Sequence, residues 1–101
     1  MKNQIQEIAF ELDNTANFIE AAVETLSDID TEFGHLREDM DNAVFRGDQQ
    51  IYYREHHRQV RLLSHLMRHV LGELRGSSEK ASELTQTLFK TVKEESEAAS
   101  A

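Results

Sequence analysis

From Ile5 to Ala43 an apolar or small residue returns every three or four positions without a slip: Ile5, Ile8, Leu12, Thr15, Ile19, Ala22, Leu26, Ile29, Phe33, Leu36, Met40 and Ala43. A three-four alternation held over that length predicts one long helix used as a seam, not an ordinary globular helix. A second string keeps the same rhythm through Tyr53, His56, Val60, Leu63, Met67, Val70, Leu74, Ser77, Ala81, Leu84, Leu88 and Thr91. With no proline and only four glycines in 101 residues, the chain lacks the punctuation that sheets and their turns require. The expected fold class is all-α.

Between the strings, Gly47 and Asp48 supply a stop for the first helix and a cap for the second. The expected organisation is a single helical-hairpin domain over 1–101, with helix 1 at about 3–45, the turn at about 46–48, helix 2 at about 49–94 and a frayed tail at 95–101. Folding at that point gives facing residues a constant sum of positions, as in Phe33 with Leu63, Ile29 with Met67 and Leu26 with Val70. Gly72 and Gly76 weaken the second helix locally. Because the heptad passes through Leu74, Ser77 and Ala81 in phase, a continuous helix is expected over a break at Gly76.

Charge is divided along the chain. Residues 1–45 hold eleven acids against two bases, whereas residues 46–76 hold six arginines against three acids. The halves should attract, with Arg54 near Asp41, Arg68 near Asp28 and Arg75 near Glu20, each contact contributing a few tenths of a kcal/mol. A hairpin of this length is mostly surface, and a flank formed by Ala9, Ala16, Val23 and Val44 with Ser64, Leu71, Ser78 and Val92, largely uncharged apart from Asp30 and Arg37, marks where more burial is expected. The prediction is a dimer that completes a four-helix bundle. Val23, Leu62, Leu66 and Leu71 are the candidate partner contacts.

Net charge of −8 opposes binding to nucleic acid, and no apolar run approaches the roughly 20 residues of a membrane span, so neither nucleic acid nor membrane insertion is expected. Met1-Lys2-Asn3 is not followed by a signal-peptide core, which leaves a cytoplasmic protein as synthesised. Catalytic material is thin: no nucleophile elbow and no glycine-rich phosphate loop occurs, and no enzymatic activity or cofactor is expected. His65 and His69 stand four apart on one helix, but Leu66 occupies the place where a zincin motif carries its glutamate. A metal-binding bundle built on that pair ranks below an outward-facing solvated pair. His56, at a seam position, would disfavour the hairpin on protonation if buried.

Two long helices, a chain of about this length and the aromatic-x-Gly tripeptide Phe45-Arg46-Gly47 at the bend together resemble the WXG-motif (ESAT-like) family of small proteins of type VII secretion systems. Phe45 and Gly47 match the aromatic and the glycine that shape the family's bend, with phenylalanine in place of the name-giving tryptophan. The resemblance implies a hairpin that pairs with itself, with a related hairpin or with the helical N-terminal domain of a toxin, and that is secreted without a cleaved signal peptide. The family's C-terminal Tyr-x-x-x-Asp/Glu export signal is not found, since Phe89 is followed four positions later by Lys93. A partner or targeting adaptor is therefore expected first and an independent substrate second. The rival reading is a cytosolic structural or regulatory coiled coil unconnected with secretion.

Overall fold

The fold is taken from a computed structural model that describes residues 2–100, with side chains from 3 to 99. Two α-helices make up the body, α1 over Lys2–Arg46 and α2 over Tyr53–Ser100, and no strand occurs among the described residues. They form a helical hairpin. Two compact units divide it, one formed by Met1–Ala21 with Glu73–Ala101 and the other by Ala22–Gly72. Each unit joins a stretch of α1 to a stretch of α2, as doubling back requires.

In the Ala22–Gly72 unit, α1 turns Ala22, Leu26, Ile29, Phe33, Leu36 and Ala43 inward, and α2 turns in His56, Gln59, Leu63, Met67 and Val70. Ile29 and Leu36 are 4% and 3% exposed, and burying each stabilises the pairing by about 1.5–3 kcal/mol. The other unit buries Ile8 and Thr15 from α1 and Thr91 from α2, with Ile5, Leu12, Ile19, Leu74, Ser77, Ala81, Leu84 and Leu88 half-buried. Thr15 meets its polar requirement locally: its hydroxyl donates to the Glu11 carbonyl at 2.8 Å. Large side chains that are fully buried are absent among the described residues.

The heptad reading needs correcting near the turn. Met40, Tyr53 and Val60 are exposed, and Gln59 is half-buried where Val60 was expected. The cause is the start of α2. Helix 2 begins at Tyr53, not near 49, because the carbonyl of Asp48 accepts the Ile51 and Tyr52 amides at 3.0 and 3.4 Å and holds residues 48–52 in turns. The turn sets the entry angle, and the inward face runs through His56 and Gln59. At the other end α2 stays helical through Ser100 in place of the frayed tail, with Glu95 half-buried; the alanines and glutamates there favour helix and no glycine or proline interrupts them. Ala101 lies outside the described residues. Gly72 and Gly76 sit inside the continuous α2, each with open space where a Cβ would stand.

The division of charge along the chain is not matched by the contacts expected of it. Among the described residues the ion pairs within 4 Å are His35 with Glu32, which needs a protonated imidazole, and Arg46 with Asp48. Arg54, Arg68 and Arg75 do not reach Asp41, Asp28 and Glu20. The arginines stand one position beyond the flank that borders the seam, so their carboxylate partners on α1 lie across the flanking residues.

Candidate interaction surface

Gly47 ends α1 by a mechanism its sequence position makes legible. Its φ of +76° is the left-handed conformation that side-chain-bearing residues avoid, and two reversed hydrogen bonds accompany it: Gly47 N–H to the Val44 carbonyl at 3.1 Å and Asp48 N–H to the Ala43 carbonyl at 2.7 Å. This is a Schellman stop, which satisfies carbonyls that the helix end would leave unpaired. Arg46 in the last turn complements the negative end of the helix dipole, and Glu55 in the first turn of α2 complements the positive end. The bend is fixed by its backbone.

Phe45, two residues before that glycine, is 92% exposed. It packs on nothing in its own chain to speak of, so the aromatic of the tripeptide is displayed at the bend. Val44, Ile51, Tyr52 and Tyr53 are exposed around the same turn. Tyr52 is partly engaged, its ring stacked on the buried His56 at 5.8 Å, and Tyr53 lies 6.0 Å from His57. Sequence reading did not single out Ile51 and Tyr52, although two large apolar side chains in a segment without heptad continuity are themselves a signal of display.

Val23, Leu62, Leu66 and Leu71 are all exposed, and they fall on two flanks. Val23 and Leu71 each follow a seam residue, Ala22 and Val70, and lie on the flank whose charges are Asp30 and Arg37. Leu62 and Leu66 each precede one, Leu63 and Met67, and lie on the other. There they line an open groove of about 500 Å³ whose floor includes Leu36 and Leu63 and whose edge carries Glu32, His35, Asp39 and Gln59. A second groove of about 510 Å³, in the other unit, is lined by Thr15, Phe18, Gly76 and Ser77 with Glu11, Glu73 and Lys80 at its rim. Both are open troughs between helices.

His65 and His69 are exposed on α2, and no group of three or more histidine, cysteine or acidic residues suited to a metal occurs among the described residues. No helix is long and apolar enough to cross a membrane. Compared with known proteins, the chain matches no family model, no curated protein and no solved structure.

Proposed function

We propose that this chain is a non-enzymatic interaction module whose partner is a second helical hairpin, its own copy or a related chain, and that it serves a type VII secretion system as a partner or targeting adaptor. The observation that carries the binding role is surface. The chain exposes 8139 Å² at a mass of 11.6 kDa, where a globular protein of that mass exposes about 5,800 Å². Much of what is exposed is apolar, including Phe18, Phe45, Ile51, Leu62 and Leu66. A soluble monomer seldom leaves that much apolar surface uncovered, and docking of another helical pair is the economical way to bury it.

The secretion role rests on the resemblance at the bend, supported by the left-handed Gly47 and the displayed Phe45. Its rival, a cytosolic structural or regulatory coiled coil, draws on Lys93 standing where an export signal would place a carboxylate. Comparing the medium of host cells with and without the secretion ATPase separates them. The proposal expects the chain, or a helical protein whose export needs it, in the medium only when the ATPase works. Identical media with the chain deleted and with the ATPase deleted or intact would favour the rival.

A further inference from the structure

Every arginine between Tyr53 and Gly72 lies on one side of α2. Arg54 and Arg58 each stand two residues from the inward His56, Arg61 two from Leu63 and Arg68 two from Val70, and at about 3.6 residues per turn a step of two crosses to the opposite side of a helix. His65 falls in the same row, two residues from both Leu63 and Met67, and all five side chains are exposed. Glu55, the one acid of this stretch, is turned elsewhere: its carboxylate accepts the side-chain amide of the half-buried Gln59 at 3.2 Å. Among the described residues, the ion pairs within 4 Å leave all four arginines out. The row ends at Gly72, where open space stands in place of a side chain and a bound chain could run on past the last guanidinium.

We infer that this outward row binds an extended, carboxylate-rich segment of another protein. Residue type points to the chemistry. All six cations between Arg46 and Gly76 are arginine, whereas the lysines stand outside that stretch, at Lys2, Lys80, Lys90 and Lys93. A guanidinium grips a carboxylate with two parallel hydrogen bonds where an ammonium offers a point charge. Length points to the conformation: Arg54 to Arg68 spans about 21 Å of helix, and an extended chain of about seven residues, sending alternate side chains to one face, lays four carboxylates over about the same distance. Four arginines then meet four acids. The rest of the molecule selects against longer polyanions. The chain carries −8 and Tyr53–Gly72 carries +3, so −11 lies elsewhere, seven of its carboxylates between Glu24 and Asp41 on α1. A short segment on the side of α2 away from α1 stays beyond the Debye length of about 8 Å from that field, whereas a nucleic-acid strand is charged along its whole length. Nor does the row contain an apolar side chain that could enter a bilayer. The inference goes beyond pairing with a helical hairpin, because the row faces away from the seam and the exposed Leu62, Leu66 and Leu71 lie to its two sides.

Fluorescence anisotropy with the purified full chain tests it, using as probe a labelled peptide of about seven residues in which glutamate alternates with glycine. The expected result is binding near 100 µM in about 50 mM salt, weakened about tenfold at about 200 mM salt. Arg61→Glu with Arg68→Glu should weaken it by more than about tenfold, and Arg61→Lys with Arg68→Lys, which keeps the charge and loses the two-bond grip, by about threefold. Both pairs of substitutions lie outside the seam, so circular dichroism should match the wild type. No anisotropy change with chain at about 1 mM would overturn the inference. So would equal binding of a glutamine–glycine peptide, survival of binding in the glutamate pair, or full affinity in the lysine pair. Tighter binding of a thymidine oligonucleotide, or of vesicles containing phosphatidylserine, through the same arginines would overturn it in favour of that partner.

Discussion

The two units bury one periodicity with different side chains. Among the described residues the Ala22–Gly72 unit buries Ala22, Ile29, Leu36, Ala43 and Val70 along its seam together with His56, whereas the buried set of the other unit is diluted to Ile8 with the polar Thr15 and Thr91. Outside the seam the contrast runs the same way. Val23, Val44, Phe45, Ile51, Leu62, Leu66 and Leu71 are all exposed in the first, against Phe10, Phe18, Phe89 and Val92 in the second. Packing strength and unspent apolar surface are thus concentrated in the unit that contains the turn. A seven-residue repeat secures pairing, but the residues that fill it decide how firmly each stretch is held.

The largest effect that could break this comparison is a cavity in the seam. Ile29→Ala should cost about 3 kcal/mol in urea unfolding, and Ile8→Ala, at an equally buried site in the diluted seam, about 2 kcal/mol. Equal losses would show that the two seams are equivalent. Next is the bend: Gly47→Val forces a branched side chain into a left-handed conformation and should cost about 2 kcal/mol, with Gly47→Asn recovering most of it. If the valine variant melts at the wild-type temperature, the Schellman stop does not hold the turn. The smallest effect sharpens the picture of the weaker unit. Gly76→Ala meets open space within a helix interior and should stabilise the isolated chain by about 0.5–1 kcal/mol. A destabilised Gly76→Ala variant would place a neighbour against that glycine.

Most of the seam was legible in the sequence because burial in a two-helix fold is a matter of period, and Ile8, Ala22, Ile29, Leu36 and Val70 lie where the three-four rhythm puts them. Gly47 was legible for a different reason: few residues tolerate a left-handed stop. The start of α2 was not, since Asp48 is as good a cap as it is a turn residue, and only its carbonyl bonds to Ile51 and Tyr52 decide between those roles. The exchange of Val60 for Gln59 follows from that turn and leaves no mark in composition. For the interaction surface, the sequence identified exposed aliphatic residues but did not separate Leu62 and Leu66, which share a groove, from Val23 and Leu71 on the opposite flank. Nor does opposite charge in two segments specify contact, as the unpaired Arg54, Arg68 and Arg75 demonstrate.

Reversal of the chain at Gly47 underlies both the seam and the face proposed for a partner, and a single intramolecular distance tests it. The chain has no native cysteine, so Ser27→Cys and Ser64→Cys, both at exposed positions, give a uniquely spin-labelled pair. Measured by double electron–electron resonance on doubly labelled chain diluted into unlabelled protein, a hairpin with helix axes about 8–10 Å apart predicts a label separation of about 20 Å. A separation near 55 Å, the length of a continuous helix between those positions at about 1.5 Å per residue, would contradict it.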